Sequence, residues 1–114
     1  MENTTVKRVV IDDLRTHPDG GVHLRNSEQA LEWLREHRDV RIDELWLDHD
    51  LGMYDTIRPV VRWLEEECAD GRALNIGAIY VHTGSIVGAK WMMSSNVLNN
   101  QYTMIRSYIV EQRL

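Results

Sequence analysis

Three short clusters in this chain combine side chains that could handle a phosphoryl group: Asp12-Asp13 with Arg15, Asp48-His49-Asp50, and His82-Thr83. Each closes an apolar run that reads as a buried parallel strand, and open parallel sheets carry their ligand sites where strand carboxyl ends give way to loops. The three clusters are therefore expected at one end of neighbouring strands. Carboxylates forced together repel and raise one another's pKa unless a cation joins them, and hard oxygen donors suit Mg2+ or Mn2+. Asp12, Asp13 and Asp48 are the expected ligands. Any one of these acids alone would serve equally as a turn former; polar clusters at three strand ends point to a site. His49 and His82 titrate near neutral pH and are candidates for general acid and general base, with the division of roles open. His17, His23 and His37 have no partner at ligand spacing and are not assigned to a metal. Lys90 is read as solvating a helix face, and the four Trp as packing material.

The elements that must position these clusters follow from pattern. Val6–Ile11 is a β-branched run that stops at Asp12-Asp13 and forms the first strand. Pro18 and Asp19-Gly20-Gly21 make the next stretch a loop where a crossover helix would be expected, and a short second strand follows over 21–25. Asn26 and Gln29 have capping-box spacing, so a helix is expected over Ser27–His37. Ile42–Leu47 is the third strand. Pro59 opens a second helix whose face is Val60, Val61, Leu64 and Cys68, closed by Gly71. Ile76–Val81, apolar without alternation, is a central strand. A third helix is expected over Val87–Leu98, stopped by Asn99-Asn100, and a fifth strand within Tyr102–Val110. Strands alternating with helices predict a three-layer α/β sandwich around a mostly parallel sheet of about five strands.

Composition limits the alternatives. At 114 residues the chain is expected to be one domain, and 43% hydrophobic with 27% charged residues excludes a disordered chain. A net charge of −5 gives no general attraction to nucleic acid, so a phosphate must be captured locally. Apolar runs are too short for a membrane span, and the single Cys68 and the polar Met1–Thr5 suggest a cytoplasmic location.

With the strings Val9-Val10-Ile11-Asp12-Asp13-Leu14-Arg15, Leu45-Trp46-Leu47-Asp48-His49-Asp50-Leu51-Gly52 and Ile79-Tyr80-Val81-His82-Thr83-Gly84, followed by Gly88, the chain resembles the receiver domains of response regulators. It is most similar to their variant, the cyclic-phosphate processing receiver domain, encoded by bacteria and their phages. The resemblance implies a receiver-like (flavodoxin-like) fold. It implies that Asp12 and Asp13 match the acidic pair that holds Mg2+, Asp48 the phosphoacceptor or metal-ligand aspartate, and Thr83 the hydroxyl residue. Asp50, His49, His82 and Arg15 match what is peculiar to the variant. The sequence departs in two places. No lysine follows the fifth strand, and Thr83-Gly84-Ser85-Ile86-Val87-Gly88 replaces the variant's usual Ser and Asn-Pro.

The expected activity is a metal-dependent phosphoesterase acting on a cyclic phosphate or related phosphoester. Arg15 would neutralise phosphoryl charge, Asp50 and Thr83 would support the ligand, and Asp48 itself could attack. The alternative is a receiver-like module that binds a protein or nucleotide without turnover. An all-helical His-Asp phosphohydrolase fits poorly, because His49-Asp50 ends a strand.

Overall fold

The computed structural model describes residues 4–109. In chain order the elements are β1 (Thr5–Ile11), β2 (Val22–Leu24), α1 (Ser27–Glu36), β3 (Arg41–Leu47), α2 (Arg58–Ala69), β4 (Ile76–His82), α3 (Ile86–Met93), α4 (Asn96–Gln101) and β5 (Met104–Ser107). The strands form one sheet in the order β2-β1-β3-β4-β5, with every pairing parallel. This is the receiver-like α/β architecture expected from the sequence.

Local chemistry accounts for the element ends. Asn26 caps α1 by accepting from the Gln29 amide at 2.8 Å, and the Gln29 side chain returns to the Arg25 amide at 2.9 Å, one residue beyond a capping box. At the end of α2, Arg72 N–H reaches Glu67 O at 2.8 Å and Gly71 N–H reaches Cys68 O at 3.2 Å. This is a Schellman closure, and it needs the left-handed φ of +73° that glycine supplies at Gly71.

The expected helix over Val87–Leu98 is not continuous. α3 ends at Met93, and Ser95 restarts the chain by accepting from the Leu98 amide at 3.2 Å while donating to Glu65 at 2.6 Å. Serine competes with the helix ladder in this way and favours a cap. Asn99 lies inside α4 and donates to Met93 O and Ser95 O at 2.7 and 2.8 Å, so it repairs the break rather than stopping the helix. The fifth strand covers Met104–Ser107; Val110 lies outside the described residues.

The connections decide how the sheet is covered. From β2 to β3, β3 to β4 and β4 to β5 the chain steps the same way across the sheet, so right-handed crossovers put α1 to α4 on one face. On that face Val9, Ile11, Leu45, Leu47, Ile79 and Val81 are fully buried against Leu34, Leu64 and Met92 of the helices. From β1 to β2 the chain steps the other way, and its connection lies on the opposite face as the expected loop. Among the described residues the third layer is therefore that loop, with no helix. The opposite face carries Arg8, Val10, Glu44, Trp46 and Tyr80 in register. No helix of the described residues is long and apolar enough to cross a membrane.

Candidate functional site

Register builds the site. Val10, Trp46 and Tyr80 are neighbours on β1, β3 and β4, so two residues on, Asp12, Asp48 and His82 continue the same face. One oxygen from each of Asp12, Asp13 and Asp48 lies within 4.8 Å of the others. Asp12 and Asp48 are buried, and Asp13 is half-buried. The Asp12 carboxylate accepts from the amides of Leu14 and Arg15 at 2.9 and 2.7 Å, a turn that brings Arg15 Nη1 to 3.9 Å from Asp48 Oδ2. Thr83 is also buried, and its hydroxyl accepts from the Ser85 amide at 3.2 Å. Gly52 closes over Asp13 with a φ of +75°, where a side chain would reach 2.9 Å from the Asp13 carboxylate.

The electrostatics match this crowding. Burial, reinforced by the charges of Asp12 and Asp13, pushes Asp48 up to about 6, against the opposing influence of the Thr83 hydroxyl and the Arg15 charge. Burial also holds His82 below the ordinary histidine range, so its imidazole is neutral at pH 7. Its Nδ1 lies 3.1 Å from Ser107 Oγ, which leaves Nε2 to exchange a proton.

Six of the expected residues thus meet: Asp12, Asp13, Arg15, Asp48, His82 and Thr83. His49 and Asp50 stand apart. Arg58 donates to His49 Nε2 at 3.0 Å, so His49 donates through Nδ1 to Asp50 at 2.6 Å. The ring is buried under Gly88 of α3, where a Cβ would fall 2.3 Å from His49 Cγ. Asp12, Arg15, Asp48 and His82 instead line a cleft of about 550 Å3 on the face that no helix of the described residues covers.

Sequence reasoning missed several supports. On β2 and just beyond it, His23 and Arg25 donate to the backbone carbonyls of Asp12 and Asp13 at 2.7 and 3.0 Å, fixing the acidic pair from behind. Arg106 of β5 donates to Val81 O and Thr83 O at 3.0 and 3.2 Å. His17 lines the cleft, as does Trp46, which is no core residue; Trp33, Trp63 and Trp91 do pack against the core. The signal for Trp46 was present in its spacing of two from Asp48 on one strand.

The family model for the cyclic-phosphate processing receiver domain matches residues 7–97, the segment from β1 into α4 that holds all of these expected residues. The chain belongs to this family. No curated protein and no solved structure matched it. Within a cyclic-phosphate processing receiver domain, Gly88 of the family string has a packing reason here, namely the imidazole of His49 beneath it.

Proposed function

We propose that this receiver domain is a metal-dependent phosphoesterase acting on a cyclic phosphate or related phosphoester. The observation that carries the reading is the meeting of Asp12, Asp13 and Asp48 within 4.8 Å, in a cleft that also holds Arg15 and His82. Three carboxylate donors with a single arginine at 3.9 Å fit a hard divalent cation such as Mg2+ or Mn2+. Such an ion, when bound, neutralises charge on the phosphoryl oxygens. Arg15 adds a guanidinium on the same side, suited to phosphoryl oxygens. His82, neutral at pH 7, takes a proton at Nε2 from the attacking water and returns it to the leaving oxygen as the ester P–O bond breaks. His49, with both ring nitrogens bonded, serves to position the end of β3.

The test separates binding from turnover. Millimolar Mg2+ or Mn2+ is expected to raise Tm, because it binds the native state. Cyclic nucleotides and a chromogenic phosphodiester are expected to be hydrolysed. His82→Ala should keep the thermal shift while turnover falls roughly a hundred- to ten-thousand-fold. A thermal shift without hydrolysis of any ester would favour a binding module in place of an enzyme, and undiminished turnover in His82→Ala would remove the proton-transfer role.

A further inference from the structure

A phosphoryl group fills only a small part of the cleft, whose volume of about 550 Å3 is in the range of pockets for much larger ligands. The remaining space is walled differently from the acid end. Along β1 and β3, Val10 and Trp46 precede Asp12 and Asp48 by two residues on the same face, so an apolar tier lies about 7 Å from the polar one. Pro18 and Ile109 add further apolar lining to the cleft.

Trp46 is held as a platform. Its indole N–H donates to Glu44 at 2.9 Å, and Arg8 grips the same carboxylate at 3.0 and 3.2 Å. Its ring stacks on Tyr80 with centroids 4.4 Å apart and planes at 4°. His17 and His82 meet it nearly at right angles, at 4.9 and 5.4 Å. An aromatic surface fixed in advance loses little conformational freedom on binding. The core does not explain it, since the helices pack on the other face.

Building on the phosphoesterase reading, we infer that the cleft takes a phosphoester carrying a flat aromatic ring, as a nucleotide does, with the ring against Trp46. The phosphoryl group lies between Arg15 and His82, and the ring occupies the tier of Val10, Trp46 and Ile109.

The experiment measures equilibrium binding of two esters with Mg2+ present, adenosine 2′,3′-cyclic phosphate and glycerol cyclic phosphate. It uses the full chain carrying His82→Gln, which spares the esters from hydrolysis. Both present a cyclic phosphate, and one of them carries an aromatic ring. The adenosine ester is expected to bind roughly tenfold more tightly. Trp46→Leu should erase that ratio and Trp46→Phe should keep most of it. Should Trp46→Leu fail to fold, Ile109→Glu, which puts a charge into the lining of the same cleft, is expected to erase the ratio as well. Equal affinity for the two esters, or a ratio that survives in folded Trp46→Leu or in Ile109→Glu, overturns the inference and leaves the phosphoesterase reading standing. Binding of neither ester by His82→Gln, together with no binding or hydrolysis of either by the wild-type chain, overturns both.

Discussion

Asp48 is where the interests of folding and of the site diverge. Its folded-state value of about 6 lies above its ordinary 3.8, so between those pH values the native state holds more protons than the unfolded chain. Stability of the metal-free protein should accordingly fall as pH rises from about 4 to about 6, by up to about 3 kcal/mol from this group. His82 is shifted downward and acts oppositely, costing stability as pH falls below about 6.5, so the Asp48 contribution is read as the difference between wild type and Asp48→Asn. In thermal melts without metal, Asp48→Asn is expected to be the more stable protein above pH 6, and the one whose Tm no longer responds to Mg2+. An Asp48→Asn protein less stable than wild type at pH 7 would contradict the burial argument. The residues of this site were largely legible in the sequence, because acids closing apolar runs have few places to go. His49 was misgrouped with Asp48 for a reason visible beforehand: adjacent residues on a strand point to opposite faces, and His49 points to the helices.

Among the elements, α3 is fastened to the end of β3 by one close approach. Gly88 lies directly over His49, whose ring is pinned by Asp50 and Arg58 and cannot withdraw. Gly→Ala inside a helix ordinarily stabilises by about 1 kcal/mol. Here Gly88→Ala should instead cost roughly 1–3 kcal/mol through overpacking, while Gly84→Ala, with nothing near its Cβ, should be tolerated. Urea melts of the two variants check this, and equal midpoints would show that His49 can move. The strands, α1 and α2 could be read from runs, caps and closing glycine because those signals are local. The break between α3 and α4 could not be read. Ser94 and Ser95 suit a helix surface by pattern, and only Glu65, thirty residues away, gives Ser95 the partner that holds it as a cap.

At the scale of the whole sheet, one-sided coverage among the described residues was implicit in the chain order, since a loop stands in place of the β1–β2 crossover helix on that face. What the sequence could not supply was the register that aligns Val10, Trp46 and Tyr80, because strand pairing is set by contacts between distant segments. The bare face also has a kinetic meaning. A ligand arriving from that side displaces no helix of the described residues, so the observed association rate should grow linearly with ligand concentration and not level off at the speed of an opening step. The chain carries a net charge of −5, which repels an anionic ester on approach. Added NaCl should therefore screen that repulsion and quicken capture at constant Mg2+, the reverse of what a basic phosphate-binding surface does. Stopped-flow mixing measures both dependences, and a plateau in rate would reveal a gate that the described residues do not provide.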